Sequence, residues 1–372
     1  MPENLPTPPW AASQYRCMSL RLAEHRSQSV VQRSDQPKKH KFALSINKST
    51  MGSVQAATEA YVLQPVPGKG KGLIATRAIR PGELILSEPP LFTTASLSNP
   101  ATFEKDLGAI VKGLSKDGQR AFLSLHNNNP GADPFSNIVR SNGYPLGPNS
   151  EVGAIFPLVA RLNHSCRPNA QHAWNEARGI EVVHAVRDIQ EGEELTLSYL
   201  AGGPSSQRQD RLKEYFGFAC TCEACSLPAK DLETSDARLK RAQKLDEAIG
   251  DPRRVRHLPE RALADCKALL SIYQDEGIFD LRLPRLYYDA FQIAAMHADA
   301  ARASVFAKSC ADARTVCEGA ESEEVKSMRA LQAKPSGFDN WAATKKWKSN
   351  VEDVPKNSSN EAFEKWLWKE DA

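Results

Sequence analysis

The chain has 372 residues, a length typical of two or three domains, and its 41% hydrophobic and 25% charged residues are ordinary for a globular protein. The net charge of +3 is too small to argue for nucleic-acid binding, so direct binding of nucleic acid is not expected. No apolar run approaches a membrane span and the first ten residues lack a signal-peptide pattern, so no membrane association and an intracellular location, nuclear or cytoplasmic or both, are expected.

Strand-like segments begin after a polar arm. Residues 1–55 are rich in Ser, Gln and Pro without sustained periodicity, and are predicted to be mostly disordered. The basic run at 37–41 is either a nuclear signal or a solvated charged patch. Residues 61–63 and 72–76 are predicted to be two strands around a glycine-rich loop, and 84–87 a third.

The central part is predicted to mix helices with strands. Residues 99–127 show a helical apolar periodicity, and 153–162 are predicted to form a short apolar helix. Residues 170–174 and 180–186 flank a polar turn and predict a hairpin, and 195–199 are the last clear strand. The apolar face of the first helix consists of Phe103, Leu107, Ile110, Val111 and Leu114.

The C-terminal part is predicted to be helical to about residue 332. Residues 286–298 and 303–318 resemble an antiparallel helical hairpin of the tetratricopeptide type. Helical stripes contain three cysteines that are expected to be packing residues, namely Cys266, Cys310 and Cys317. The tail, 333–372, is polar but contains four tryptophans, so part of it is expected to dock back onto the chain.

Three closely spaced thiols predict a metal site. Cys220, Cys222 and Cys225 form CxCxxC, and short spacing lets several thiolates face one Zn²⁺ ion. Structural zinc takes four ligands, and Cys166, within NHSCRPN, lies outside the arm and the helical stripes. A structural zinc site of these four cysteines is therefore predicted. The alternatives are an exposed redox-active turn with Cys166 merely buried, or a histidine such as His172 as the fourth ligand.

A glycine-rich loop and two polar residues are candidates for ligand binding. The alternating glycines of 67–72 permit close backbone approach to a ligand, although a flexible hairpin explains them equally well. The loop is neither a Walker A loop nor a dinucleotide fingerprint that opens a helix. Asn163 and His164 could bind a cofactor or could only shape their own loop.

Four motifs in order resemble one family. GKGKGLIATRAIRPGELIL, RLNHSCRPN, GEELTLSY and FGFACTCEAC resemble the SET-domain protein lysine methyltransferases with their post-SET zinc segment, over roughly residues 60–228. The NHSCxPN form followed by a helical region is similar to the SET-and-MYND subfamily and its fungal relatives. Residues 93–150 contain no cysteine, so the MYND finger is absent there, and its partner contacts are not carried over.

The resemblance implies an α+β fold class: small β-sheets with pseudoknot-like threading, a post-SET zinc site and a helical, tetratricopeptide-like C-terminal domain. The implied division is an arm at 1–55, a SET domain at 56–200 with a helical insert at about 93–150, a post-SET zinc segment at 201–228, a helical domain at 229–332 and a tryptophan-containing tail at 333–372.

The resemblance also implies a cofactor, S-adenosylmethionine, and a set of site residues. Tyr199 matches the catalytic tyrosine of the family. Tyr215 lies one position away from an aromatic residue that the family's pattern leads us to expect, so the resemblance assigns it no role. The residues implied to bind the cofactor are Lys69, Gly70, Lys71, Asn142, Asn163, His164 and Phe218. The implied lysine channel consists of Leu197, Tyr199 and Phe216. Leu197, two residues before the tyrosine, does not predict how many methyl groups are added.

The implied function is S-adenosylmethionine-dependent methylation of protein lysines, on a histone or a non-histone target such as a ribosomal or translation protein. The expected partner is thus a protein substrate, and the chain is expected to be a monomer. One alternative is a catalytically weak SET adaptor that binds zinc and cofactor and acts through its helical region. Another is a zinc scaffold unrelated to SET domains, which four ordered motifs argue against.

Overall fold

The computed structural model describes residues 60–97, 99–128, 130–148 and 150–370. The predicted disordered arm and its basic run lie outside the described residues. The strands are β1 (Tyr61–Val66), β2 (Gly70–Ala75), β3 (Leu84–Glu88), β4 (Phe92–Thr93), β5 (Gly143–Pro145), β6 (Gly153–Ile155), β7 (Asn163–His164), β8 (Ala170–Asn175), β9 (Ile180–Ala185) and β10 (Thr196–Leu197). The helices are α1 (Phe103–Gly113), α2 (Lys116–Leu123), α3 (Pro134–Asn142), α4 (Ser205–Phe216), α5 (Ala229–Ile249), α6 (Pro252–His257), α7 (Pro259–Asp275), α8 (Arg282–Met296), α9 (Ala300–Glu318), α10 (Glu323–Ala333) and α11 (Asn360–Leu367).

Small sheets make up the N-terminal half of the described chain. β1 and β2 form an antiparallel hairpin, and β3, β9 and β8 form an antiparallel sheet in that order. These elements confirm the strands predicted at 61–63, 72–76 and 84–87 and the hairpin at 170–186. Their shared core is apolar, with Leu73, Phe156, Val183 and Leu195 fully buried.

Two predicted helices were wrong in part. The helix expected over 99–127 is interrupted where Leu114 is extended (ψ 159°), and Ser115 then caps α2 by accepting a hydrogen bond from the Gly118 amide. The start of the helix expected over 153–162 is instead the strand β6, because it pairs with both β4 and β5. Only Val159–Arg161 is helical there, as a 3₁₀ turn.

A buried carboxylate holds the start of that 3₁₀ turn. Glu88, at the end of β3, accepts hydrogen bonds from the backbone amides of Leu158 and Val159 at 2.9–3.0 Å. Burial raises the pKa of Glu88. The turn leads directly into β7, so this contact fixes the entry to the NHSC segment.

A short parallel pair connects two of the motifs. β7 pairs with β10, so Asn163 lies opposite Thr196 and His164 opposite Leu197. The expected strand at 195–199 is therefore shorter than predicted. This pair brings NHSC beside the tyrosine-bearing segment from some thirty residues further along the chain.

The C-terminal half is a helical array, as predicted. α8 and α9 form a hairpin through the turn His297–Asp299, and α7 and α10 pack beside them. Its core includes Phe291, Phe306, Cys266 and Cys310. All three predicted packing cysteines, Cys317 included, are fully buried. No helix in the described ranges is long and apolar enough to cross a membrane.

The tryptophan-containing tail docks on this array, as expected. The backbone amides of Thr344 and Trp347 donate to carbonyls of the α8–α9 connection, Met296 and His297, at 2.9 and 3.0 Å. Trp347 and Trp368 are 9% and 3% exposed. The tail is therefore part of the helical core rather than a free extension.

A buried glutamate joins the two halves. Glu276, 3% exposed, accepts hydrogen bonds from Arg167 (2.9 Å), Ser235 (2.6 Å) and Arg238 (2.5 Å). Arg167 directly follows Cys166, whereas the other partners belong to α5.

Small sheets with a helical C-terminal region confirm the predicted α+β class.

Candidate active site and thiol cluster

The four predicted metal ligands meet at one point. The Sγ atoms of Cys166, Cys220, Cys222 and Cys225 all lie within 4.8 Å of one another. Cys166 and Cys225 are 3.6 Å apart, too far for a disulfide. Tetrahedral zinc, with Zn–S of about 2.3 Å, would place its sulfurs about 3.8 Å apart. The arrangement therefore fits a four-thiolate ion site.

The local electrostatics also suit a cation. Hydrogen bonds among the four sulfurs, together with burial, raise the pKa of the Cys166 thiol, whereas hydrogen bonds within the same cluster lower the pKa of Cys222 and of Cys225. Four thiolates this close together would repel one another, so a bound cation would favour their joint ionisation. Arg208, 4% exposed, directs Nη2 at the Cys225 sulfur at 3.7 Å. Its charge would partly offset the excess negative charge of a zinc–tetrathiolate centre.

The rival metal ligand lies elsewhere. His172, on β8, places Nδ1 2.7 Å from the Glu181 carboxylate, and its ring lies against Tyr144. Among the described residues, the only group that could hold a metal ion is the four cysteines. Cys220 is 7% exposed, so the CxCxxC segment is also not an open turn.

His164 connects the thiol cluster to the tyrosine. Its Nδ1 accepts a hydrogen bond from the Tyr199 amide at 3.0 Å, which places the ring proton on Nε2. Nε2 lies 3.3 Å from the Cys166 sulfur. Burial lowers the pKa of His164 to about 4, so the ring is neutral. Both ring nitrogens are thereby used within the protein.

The Tyr199 hydroxyl is held in one orientation. It donates a hydrogen bond to the Leu162 carbonyl at 2.8 Å, and its ring packs against Phe216 with centroids 4.9 Å apart. Burial raises the pKa of Tyr199, and the nearby Glu194 raises it further. The group is therefore a neutral phenol whose oxygen lone pairs remain able to accept a hydrogen bond.

The predicted aromatic residues surround this tyrosine. Phe216 ends α4, and Gly217 (φ 74°) turns the chain so that Phe218 lies 6.2 Å from the His164 ring. Both phenylalanines pack with Tyr199 around the thiol cluster. Leu197 is 2% exposed in the β-sheet core, and Tyr215 is 50% exposed on the outer side of α4.

The glycine-rich loop is brought to NHSC by a carboxylate. The Lys69 ammonium lies 2.6 Å from Oε2 of Glu194, and the Asn163 amide donates to Oε1 of the same group at 2.8 Å. Asn163 also donates to the Lys71 carbonyl at 3.3 Å. Gly70, at φ 76°, allows the turn between β1 and β2. The side chains of Lys69 and Asn163 and the backbone carbonyl of Lys71 therefore meet here, and His164 is the next residue after Asn163.

The Asn142 side chain is engaged in hydrogen bonds to the backbone. Its side-chain nitrogen donates to the carbonyls of His126 and Ile138, both at 2.7 Å, at the end of α3. It thereby ties α3 to the loop after α2. Any contact of Asn142 with a ligand would have to use its other amide atom or its backbone.

Sequence reasoning missed three residues of the site. Glu194 was hidden in the repetitive acidic turn before β10, Arg208 in a polar helix, and Gly72 was one of several glycines. A Cβ at residue 72 would lie 2.8 Å from the Asn163 amide nitrogen, so only glycine fits without displacement. The signal for Gly72 was its place in the alternating run, but nothing local identified its neighbour.

The chain is similar to known proteins. The SET-domain family model matches residues 70–200. The histone-lysine N-methyltransferase set5 of Schizosaccharomyces pombe is 34% identical over 270 residues, covering 72% of this chain and 82% of that protein. The chain belongs to the SET-domain lysine methyltransferase family. The resemblance drawn from the four motifs is thus confirmed.

A second relative matches a smaller part of the chain, and one solved structure aligns with most of it. The human N-lysine methyltransferase SMYD2 is 31% identical over 166 residues, which are 39% of this chain and 38% of SMYD2. A solved structure of the SET domain of LSMT, bound to lysine and AdoHcy, is 13% identical, with a TM-score of 0.32 and coverage of 85% of this chain and 96% of that chain. The SMYD2 match supports the predicted kinship with the SET-and-MYND subfamily.

Proposed function

We propose that this SET-domain chain transfers a methyl group from S-adenosylmethionine to the side-chain amine of a lysine in a protein substrate. The observation that carries the proposal is the contact chain from the Tyr199 backbone amide through the His164 ring to the Cys166 sulfur. Asn163, the residue before His164, shares the Glu194 carboxylate with Lys69. A catalytic hydroxyl, a candidate cofactor cradle and an apolar wall thereby share one site.

The four cysteines are proposed to hold a structural zinc ion. The ion would join the loop after β7 to the segment after α4, about sixty residues apart in the chain. Zinc bound in this way contributes to folding directly, because a preformed site does not exist in the unfolded chain. Phe216 and Phe218 lie immediately before the CxCxxC thiols, so the ion would also fix the aromatic wall.

The cofactor is proposed to bind at Lys69, Gly70, Lys71, Asn142, Asn163, His164 and Phe218. His164 would contribute its backbone, because both of its ring nitrogens are engaged within the protein. The convergence of the Lys69 ammonium and the Asn163 amide on the Glu194 carboxylate supports this assignment, because it brings the glycine-rich loop and the NHSC segment together. Lys69 offers an ammonium for a carboxylate, and Phe218 offers an apolar ring for a base. When bound, the cofactor supplies a methyl group on a sulfonium cation.

Tyr199 is proposed to orient the reacting amine. Its proton is committed to the Leu162 carbonyl, so its oxygen presents lone pairs to an amine N–H. Because its pKa is raised, it acts as a fixed dipole and not as a base. Positioning of this kind, together with preorganised electrostatics, supplies most of the rate enhancement in such reactions.

The substrate lysine must lose a proton before it can attack, since its ordinary pKa is about 10.4. Phe216 provides an apolar wall that disfavours the charged ammonium. The proton that the ammonium loses would go to water, and the neutral amine, oriented by Tyr199, would accept the methyl group that a bound cofactor supplies. Leu197, which is 2% exposed, is proposed to limit the depth of the channel.

The finer features of the function are also proposals. The set5 and SMYD2 names support lysine methylation of histone or non-histone proteins. We propose the domain division given by the motifs, a post-SET role for residues 201–228, a monomeric state and a nuclear or cytoplasmic location. The helical array with its docked tail would present the substrate or a partner protein.

Methyl transfer from tritiated S-adenosylmethionine into core histones and a whole-cell extract tests the function. The wild type is compared with Tyr199→Phe and with Tyr215→Phe, a matched change at an exposed tyrosine. We expect label with the wild type and Tyr215→Phe, and a loss of about 100-fold or more with Tyr199→Phe. No label from any of them despite cofactor binding would favour the adaptor. No cofactor binding by zinc-replete protein would overturn the assignment of Lys69, Asn163 and His164.

A further inference from the structure

Glu194 is the point at which two candidate cofactor ligands meet. Its two carboxylate oxygens are divided between them, Oε2 with the Lys69 ammonium and Oε1 with the Asn163 amide. Lys69 comes from the loop between β1 and β2, and Asn163 from β7. One side chain therefore sets the relative position of two segments that are about ninety residues apart.

Backbone contacts on both sides of Glu194 fix the position of this carboxylate. Glu194 forms an antiparallel bridge with Ile74 of β2, and the next amide, of Leu195, donates to the Leu73 carbonyl at 2.8 Å. The Glu194 carbonyl accepts a hydrogen bond from the Asn169 side chain at 2.8 Å. Its side chain is 17% exposed, so solvent screens the pair with Lys69 only in part.

Gly72 allows Glu194 and Asn163 to approach each other. A Cβ there would lie 2.8 Å from the Asn163 amide nitrogen and 3.1 Å from Oε1 of Glu194. Any side chain at residue 72 would therefore push apart the two groups that share the hydrogen bond. This close approach gives Gly72 a specific function in the loop.

We propose that Glu194 is a positioning residue of the cofactor site, holding the Lys69 ammonium and the Asn163 amide in the orientation in which they bind the amino-acid end of the cofactor. This rests on the proposed function, which places the cofactor at those residues. A lysine has a long flexible stem, and holding it in place before binding removes an entropy cost that binding would otherwise carry. The opposite possibility is that Glu194 competes with the cofactor carboxylate for Lys69.

Calorimetric binding of S-adenosylmethionine to the zinc-replete full chain separates these two roles. We expect Glu194→Gln, which keeps an acceptor for Asn163 but loses the charge that holds Lys69, to weaken binding about tenfold. Glu194→Ala removes both contacts and should weaken it further. Glu191→Gln is the matched control, since Glu191 is exposed on the same turn, and should bind like the wild type.

A double-mutant cycle tests whether Glu194 acts through Lys69. Lys69→Met and the double variant Lys69→Met/Glu194→Gln should bind the cofactor equally, within about twofold, because the second change has no ammonium left to position. In turnover, Glu194→Gln should raise the KM for the cofactor with kcat nearly unchanged. A purely structural role would instead lower the melting temperature and zinc content of Glu194→Gln.

The outcomes distinguish this proposal from the function on which it rests. If Glu194→Gln binds the cofactor as tightly as the wild type does, or more tightly, the positioning role is overturned. Tighter binding would identify Glu194 as a competitor of the cofactor for Lys69. Additive losses in the cycle also overturn it. A wild type that binds no S-adenosylmethionine overturns the cofactor site itself, and the role of Glu194 with it.

Discussion

The imidazole of His164 holds the backbone amide of Tyr199 through Nδ1 at 3.0 Å. Its other nitrogen lies 3.3 Å from the Cys166 sulfur, so one neutral ring ties the candidate catalytic tyrosine to the candidate zinc site. Any loss of the thiol cluster should therefore be felt at the tyrosine, although the cysteines do not take part in the chemistry.

Replacing His164 should damage stability and activity together. His164→Ala leaves the buried Tyr199 amide without its acceptor, which costs about 1–3 kcal/mol of the free energy of unfolding. We expect turnover to fall at least as strongly, because the tyrosine is no longer held. Urea unfolding and the methyl-transfer assay measure both quantities. His257→Ala, at an exposed histidine, is the control; a His164→Ala enzyme with wild-type turnover would contradict the positioning role.

Removing one thiol should release the metal. Cys166→Ser is expected to reduce bound zinc from about one per chain to a small fraction and to lower the melting temperature, because metal-binding energy here is folding energy. Metal analysis after dialysis, together with thermal unfolding, checks this. Cys310→Ala is the matched control: it removes a fully buried helical thiol and should leave the zinc content unchanged. Full zinc retention by Cys166→Ser would exclude Cys166 as a ligand.

The Glu276 side chain, which joins the two halves of the chain, should contribute more to the free energy of unfolding than an exposed ion pair does. Glu276→Ala leaves Arg167, Arg238 and Ser235 without their shared acceptor, and we expect a loss of about 2 kcal/mol in the free energy of unfolding, below the full cost for a completely buried pair. Chemical denaturation provides the measurement. Glu323→Ala breaks an exposed pair with Lys326 and should change the free energy by less than about 0.5 kcal/mol. Equal effects of the two variants would refute the special role of the junction.

Stability should fall in mild acid because His164 and His184 are buried with lowered pKa values, and of the two it is His184 that lies outside the candidate active site. The contribution of His184 can therefore be tested separately. This residue is 6% exposed on β9 against the end of α9, and burial lowers its pKa to about 4. The unfolded chain, with an ordinary histidine pKa of about 6.5, takes up a proton first as pH falls, so the stabilisation is full above pH 6.5 and disappears towards pH 4. The expected loss from this group between pH 7 and pH 5 is about 2 kcal/mol.

The variant His184→Gln tests this assignment. Its free energy of unfolding should depend less on pH over that interval, by about 2 kcal/mol, whatever its absolute stability. His257→Gln, again at an exposed histidine, should keep the wild-type slope. Denaturant titrations at pH 5, 6 and 7 supply the comparison, and identical slopes for His184→Gln and wild type would show that another group is responsible.

Short sequence patterns were sufficient to predict much of the local structure of this chain. Alternating glycines predicted the hairpin of β1 and β2, and CxCxxC with Cys166 predicted the set of four sulfurs that the structure brings together. Both patterns are short-range: a turn needs particular backbone angles, and an ion needs closely spaced donors. The tail tryptophans likewise predicted docking, because such large apolar groups are costly to leave exposed.

Such patterns could not predict the contacts between distant segments. The apolar run at 153–162 suits a helix or a strand equally, and pairing with β4 and β5 selects the strand. Glu194 is one glutamate among several until Lys69 and Asn163 converge on it, and Glu276 is one more helix-end acid until Arg167 reaches it. The strength of each contact depends on burial and partner geometry, which arise when remote parts of the chain pack together, so composition and spacing identified the chemistry while packing assigned the roles.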